Sequence, residues 1–391
     1  MALAAVFALL WGQLTFNPYS GYGLGFPHLT AAGGGLGMGR LSAVGIGMGL
    51  PEQPAHSAHL TAMQADFSGW GRLQRLSTST QRANFGSGAL QNLQLSFSRG
   101  KGWGLAMGLM PQAIQGYWST GRFPGFSDFQ FSERAEGLLS QAYVQAALRW
   151  KAFAMGYQVG YLWGTYERQR SLQSGLQPLA DYLLTSVRLQ GLQHRVGILW
   201  QDSLEEWQFQ LGLGYAFRAA LRRELSYTLQ KNFSLTDVLL DTLVRNQGTW
   251  RYPSLLRGGL YAAHTRWRLG MEGGYTWASD RWEGAGMIPA ETSPSWDVRF
   301  GIESQIDPRS SIFYKRLRYQ VGGFVGRPPH VALSFYGVTF GIGWQLPRTP
   351  NLIYLAIEYA FLPHPLVRET TLQFSLAAVF RELWFIPPRI D

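Results

Sequence analysis

The sequence predicts an all-β, membrane-spanning antiparallel barrel of fourteen strands. Three observations carry that reading: a two-residue period sustained over membrane-crossing lengths, a strict alternation of short and long connections, and a composition rich in aromatics and Gly but poor in charge. The period is clearest near the C-terminus. In 351–361, Ile353, Leu355, Ile357, Tyr359 and Phe361 alternate with Leu352, Tyr354, Ala356, Glu358 and Ala360. In 369–380, Leu372, Phe374, Leu376, Ala378 and Phe380 alternate with Thr371, Gln373, Ser375, Ala377 and Val379. Such strands have one greasy and one wet face, and about 10 tilted residues cross a bilayer's hydrocarbon layer.

Composition agrees. Aromatics make up 14% of the 391 residues and Gly accounts for 47, while charged residues are only 15%, against roughly 25% in average soluble domains. Mean hydropathy is −0.08, and no uncharged apolar run is long enough for a spanning helix. The net charge of +10 comes from scattered Arg, which suits a rim and lumen and excludes the clustered basic surface of a nucleic-acid binder. With no Cys, disulfides, thiolate catalysis and Cys-based metal sites are excluded together.

In chain order, residues 2–11 (ALAAVFALLW) form an apolar run placed like a signal-peptide core. No Lys or Arg precedes it; a signal peptide over 1–13 is expected, with cleavage near Gly12 and Gln13. Residues 14–58 carry NPYSGYGLG, GGGLGMG and GIGMGL with scarcely a charge. Gly at that density gives irregular, closely packed backbone that needs another element as its core. No Gly-Lys-Ser/Thr follows, so a phosphate cradle is not indicated.

The barrel is expected over 59–385, before a periplasmic tail at 386–391. Its strand candidates are 59–72, 89–99, 102–112, 137–149, 153–166, 186–200, 206–220, 251–264, 267–277, 295–303, 312–325, 334–345, 351–361 and 369–380. Strand 186–200 is the least regular, because Gln190 and His194 share a face with Val196, Ile198 and Trp200, so a bulge is expected there. Connections 73–88, 113–136, 167–185, 221–250, 278–294, 326–333 and 362–368 are long, and those between them are short. Bacterial barrels have short periplasmic turns and an even strand number, which places both termini in the periplasm and the protein in the outer membrane. Within the fifth long connection's neighbour, 221–250, Leu235, Val238, Leu239 and Leu243 stand near helical spacing, predicting a rim helix over 233–246.

Among candidate sites, His56 and His59 are the only close His pair, too few for a metal centre. No spacing of Ser and His marks a hydrolase. An enzyme, a cofactor and a metal are therefore not expected. Polar residues on the small-residue faces are more informative: Gln208, Gln210, Arg218, Arg268, Glu272, Arg299, Glu303 and Glu358. They suit a cross-lumen charge network, since buried charges need partners. The sharper reading pairs an Arg with the head of a ligand whose tail lies on apolar residues of the N-terminal segment. On that reading the ligand-binding candidates are Arg218, Arg268, Glu272, Arg299, Leu36, Met38, Ile46 and Met48.

NPYSGYGLG, the Gly-rich run after it, WGLAMGLMP (103–111), LRYQVGGF (317–324), YGVTFGIGWQLP (336–347) and the terminal LQFSLAAVFRELWFIPPRID resemble the FadL/TodX-type family of outer-membrane hydrophobic-compound transporters. The resemblance implies a fourteen-stranded barrel plugged by an N-terminal hatch, here 14–58, and passive uptake of hydrophobic small molecules such as long-chain fatty acids or aromatic hydrocarbons. Where the family carries Asn-Pro-Ala near the end of the hatch, this chain reads Gln53-Pro54-Ala55. The expected partners are outer-membrane lipid, an apolar ligand and other outer-membrane proteins, with the barrel itself monomeric. The alternative reading is an accessory barrel of a larger outer-membrane assembly.

Overall fold

The computed structural model describes residues 26–27, 31 and 33–382, apart from 80–81, 99, 101, 124–125, 175–180, 233–237, 279–292, 305–306, 308–309, 311, 329–333, 347–348 and 364–366. The expected signal peptide, 1–13, and the expected tail, 386–391, lie outside the described residues.

Fourteen strands close on themselves. They are β1 (Met63–Ser77), β2 (Arg82–Ser98), β3 (Trp103–Phe123), β4 (Phe126–Trp150), β5 (Phe153–Ser174), β6 (Asp181–Leu204) and β7 in two segments (Trp207–Ala216, Ala219–Asn232). β8, also in two segments (Val238–Tyr252, Leu255–Ala263), is followed by β9 (Trp267–Thr276), β10 (Ser295–Ser304), β11 (Leu317–Arg327), β12 (Phe335–Gln345), β13 (Leu352–Leu362) and β14 (Arg368–Glu382). Neighbours pair antiparallel, and β14 pairs with β1, from Arg368↔Ser77 to Glu382↔Met63, to close the ring. β8 breaks at Pro253, which has no N–H for the ladder. Closure pairs the first strand with the last, so neither is left as a terminal edge in lipid.

The pleat sorts the side chains as the period predicts. Phe374, Leu376, Leu355 and Ile357 face outward while Ser375, Ala377 and Tyr354 are buried inward. The polar residues of β6 that share the greasy face find partners there: Tyr157 Oη lies 2.6 Å from His194 Nδ1, and Tyr161 donates to Gln190 at 3.2 Å. β6 itself runs without a bulge. The irregularity predicted for it sits in β7, which carries one residue more than β6 between the pairs Gln190↔Arg222 and Arg195↔Ala216.

Two further expectations are corrected. Stretches 113–136, 167–185 and 221–250 are not mainly loop, because β3 to β8 run on as paired strand well beyond the length a bilayer needs. Their inner positions stay apolar, with Leu139, Tyr166, Val187, Leu189, Leu221, Leu225 and Trp250 in one buried cluster. Their outer positions turn polar, for example Arg134 and Glu136, so the two-sided alternation fades where lipid ends. The predicted rim helix over 233–246 is likewise strand from Val238 onward, paired with Ala219–Asn232, and 233–237 lies outside the described residues. Its Leu and Val spacing fits a helix, but a long β7–β8 hairpin satisfies the same backbone groups.

Candidate functional site: the barrel lumen

Residues 33–60 lie inside the ring and bury nearly all their side chains there. Gly makes this approach possible. A Cβ on Gly301 would sit 2.5 Å from Met38 Cα, and one on Gly322 would sit 2.2 Å from the Gly39 nitrogen. Gly39 and Arg40 adopt φ of 68° and 66°, a region that favours Gly, and this turns the inner segment along β10–β12. Thr339 then serves both of its neighbours, accepting from Gly39 N and donating to Gly37 O at 2.9 Å each.

Two ionic knots fasten the segment to the wall. In the first, Arg299 and Glu272 are 0% exposed at their side chains and lie 3.1 Å apart. Glu272 accepts the backbone N–H groups of Ser42 and Ala43 at 2.9 and 2.8 Å. Arg257 pairs with Glu52 of the segment at 2.9 Å and with Asp297 of the wall at 2.9 Å. Arg40 pairs with Glu358 nearby. In the second, Glu303 receives Arg268 at 3.0 Å, Arg318 at 3.4 Å and Gln320 at 2.6 Å, while Gln320 also donates to Gly34 O at 2.8 Å.

Of the residues singled out in the sequence, Arg268, Glu272 and Arg299 thus come together around the inner segment. Gln210 joins them by accepting from Gly45 N at 2.6 Å. Met38 and Met48 pack with Leu41, Val44, Leu50 and Tyr261, with Ile46 against them, and Leu36 packs on Leu352 and Tyr354. Arg218 stands apart, exposed at the break in β7, and Gln208 is exposed at the short-turn end. Sequence reasoning missed Arg40, Glu52, Arg257 and Asp297. Arg257 shares the inward parity of Gly259 and Tyr261, a signal present in the chain, but its partners come from elements with no regular period.

At the short-turn end the 3-10 turn Pro54–His59 presses on a rung of small residues. A Cβ on Gly104 would meet Ser57 O at 2.0 Å, and one on Gly156 would meet the Pro54 carbonyl carbon at 2.3 Å. Gln53, at the Asn position of the family's motif, is 0% exposed and donates to Ile198 O at 3.1 Å, so the longer amide reaches the wall. His56 is held neutral: burial and then the neighbouring His59 lower it from 6.5 to about 3. Burial and then Arg149 lower His59 to about 4. Among the described residues no group of three His, Asp or Glu could hold a metal.

At the opposite end the buried apolar cluster around Leu139, Leu162 and Leu221 lines the inner side of β3 to β8, and beyond it Glu133 bonds Tyr117, Arg168 and, at 2.9 Å, Arg170. The wall has one seam. β2 and β3 pair only from Leu93↔Leu109 to Ser98↔Gly104; beyond Leu93, β2 keeps only β1 and β3 keeps only β4 within the wall. The two-residue strand Phe26–Pro27 pairs with Ile114 and Ala113 on the free edge of β3.

This architecture is shared with three solved channels. CymD, a monoaromatic hydrocarbon channel, aligns at 13% identity over 91% of this chain and 99% of its own, with a TM-score of 0.61. The toluene transporter TodX of Pseudomonas putida aligns at 16% over 90% and 98%, at 0.60. The toluene transporter TbuX of Ralstonia pickettii aligns at 12% over 90% and 99%, at 0.62. Identities this low establish the shared fold and no more. No curated protein sequence matches the chain. The BamG family profile, by contrast, matches residues 1–391 from end to end, and the chain belongs to the BamG family.

Proposed function

We propose that the protein is a passive outer-membrane channel for hydrophobic small molecules, of the class of aromatic hydrocarbons or long-chain fatty acids, with residues 14–58 as its hatch. The observation that carries this is the seam. The inner segment occupies the lumen at the short-turn end and an apolar cluster lines β3 to β8 at the other, whereas β2 and β3 lack pairing to each other over their upper halves. An apolar solute gains about 25 cal/mol per Å² of surface removed from water, so a route from lumen to lipid needs no energy source. Leu36, Met38, Ile46 and Met48 would line the path once the hatch shifts, and Arg268 or Arg299 would meet an anionic head. The short turns face the periplasm with both termini, and the barrel acts as a monomer. Purified protein in liposomes should speed entry of a hydrophobic dye without conducting ions. Open-pore conductance of the intact protein, or dye entry no faster than in empty liposomes, overturns the proposal.

A second reading, an accessory barrel in a larger outer-membrane assembly, is favoured by the fixity of the inner segment. Its Arg40 and Glu52 are tied to Glu358 and Arg257 of the wall by buried ion pairs, and breaking a buried pair costs about 3–5 kcal/mol. A hatch that never moves suits a structural role. Co-purification of stoichiometric partner proteins from native membranes, with no apolar compound bound, would select this reading.

A further inference from the structure

Between the Gly rung and the apolar cluster lies a layer the transport reading has not used. Successive rungs of β1–β6 place amides side by side on the lumen face. Ala106 stands opposite Gln145, Gln145 opposite Gln158, and Gln158 opposite Arg195. One step toward the cluster, Asp66 stands opposite Gln94 and Tyr143 opposite Gly160; one step further, Ser68 stands opposite Asn92. Gln91 is the extra residue of the bulge between Ser68 and Gly69.

These side chains are buried without being satisfied. Gln91, Asn92, Gln145 and Gln158 are at most 1% exposed, and both polar atoms of each amide have no hydrogen-bond partner among the described residues. Gln94 Oε1, Asp66 Oδ1 and Tyr143 Oη are in the same state. A buried amide left unpaired costs free energy comparable to a lost hydrogen bond, so eight such atoms in two adjacent pairs, Gln91 with Asn92 and Gln145 with Gln158, point to groups supplied from outside the protein. By contrast Gln112, Gln141 and Gln193 form a chain, at 2.9 and 3.2 Å, so amides in this lumen do pair where pairing is intended.

We infer that this amide layer is a binding site for the neutral, hydroxyl-bearing head of an apolar compound. The inference rests on the transport reading and narrows its substrate class to amphiphiles such as long-chain alcohols. Amides both donate and accept, and Asp66 Oδ1 accepts, so a hydroxyl fits where a hydrocarbon would leave the layer dry. A carboxylate fits less well. Asp66 would repel it, Arg195 already has Glu52 in its field and donates to Pro51 O at 3.3 Å, and Arg381 at the layer's edge is taken up by Gln64 at 3.3 Å and by Gly47 O. Position agrees: the layer lies at the foot of the β2–β3 seam, so a head held at Asn92 leaves its tail beside Ile114 and Leu138, where Phe26–Pro27 pairs with β3 in place of β2.

The test compares binding of radiolabelled dodecan-1-ol, dodecanoate and dodecane to the full-length protein in lipid nanodiscs, with Gln145→Leu/Gln158→Leu as the variant. The expected result is dodecanol binding at least tenfold tighter than dodecane, with dodecanoate weaker than dodecanol. In the variant, dodecanol should lose at least tenfold while dodecane binding and thermal unfolding stay unchanged or improve, which separates loss of the site from loss of fold. Equal binding of dodecanol and dodecane, or a variant that loses nothing, means that the amides hold water only; it overturns this inference and leaves transport standing. Tighter dodecanoate than dodecanol overturns it in favour of an anionic head. If none of the three binds, the transport reading fails with it.

Discussion

Arg299 of β10 donates from a fully buried guanidinium to the backbone carbonyl of Arg40 at 2.6 Å, joining the wall to the inner segment at the point where that segment turns. The same side chain holds Glu272, which in turn caps the N–H groups of Ser42 and Ala43. One residue therefore organises contacts to Arg40, Ser42 and Ala43 of the segment. Arg299→Met should leave Glu272 and Asp297 undercompensated, at a cost of about 3–5 kcal/mol. Because the strands are held by their own ladders, the segment and not the barrel should yield. Single-channel recording is expected to show frequent opening in the variant and a closed wild type; a variant as silent as wild type, with residues 33–60 equally protease-resistant, would contradict this.

The inner segment should loosen in acid. His56 and His59 ordinarily titrate near 6.5 but are depressed to about 3 and about 4 when buried. Their contribution is fully present above pH 6.5 and is lost as pH falls from there toward 4 and 3, because the released segment binds protons that the docked one cannot. Conductance or hydrogen exchange of 48–60 should rise between pH 6 and 4, and His56→Gln should flatten that rise. An unchanged profile in the variant would remove His56 from the account.

The greasy face of β14 gives a test of register. Phe374 is 46% exposed toward lipid and pairs with Ile357 on β13. Phe374→Arg should cost about 2–4 kcal/mol near the midplane and block assembly, while Phe374→Leu should assemble normally. Loss of heat-modifiable barrel on gel electrophoresis in the first only is the expected outcome; equal assembly of both would mean that the residue does not face lipid.

Glu133 gathers Tyr117, Arg168 and Arg170 on the extended part of β4. Glu133→Gln should leave the buried Arg168 without its counter-charge, fraying the β3–β6 extension while the membrane part stays folded. Protease cleavage within 113–136 or 167–185 should increase several-fold in intact membranes, and resistance equal to wild type would refute the role of the cluster.

The membrane part of this fold was legible because lipid and lumen impose opposite demands on adjacent residues, as at Phe374 and Ser375. Fourteen strands and their closure follow from that alternation. The extensions of β3 to β8 lack the signal of a spanning strand because outside the bilayer the outward face turns polar, as at Arg134, while the inward face stays apolar. Within the lumen, Arg299, Glu272 and Arg268 stood out by parity, but their partners Arg40 and Glu52 sit on an irregular segment where no period marks the inward side. The seam was not legible at all, since β2 and β3 each keep a normal pattern and only their register shows where pairing stops.

Orientation follows from which end carries the short turns. With no native Cys, Gln173→Cys near the tip of β5 should react with an impermeant maleimide on intact cells, and Lys151→Cys in the β4–β5 turn should not. Labelling at Lys151→Cys alone would invert the topology.

Closure of the seam tests the central claim most directly. Ala89 on β2 and Ile114 on β3 lie in one buried cluster across it. Ala89→Cys/Ile114→Cys, joined by a short cleavable thiol crosslinker, should abolish entry of a hydrophobic dye into proteoliposomes, and reductive cleavage should restore it. Uptake that continues unchanged through a fully crosslinked seam would contradict the lateral route and, with it, the channel function proposed for this barrel.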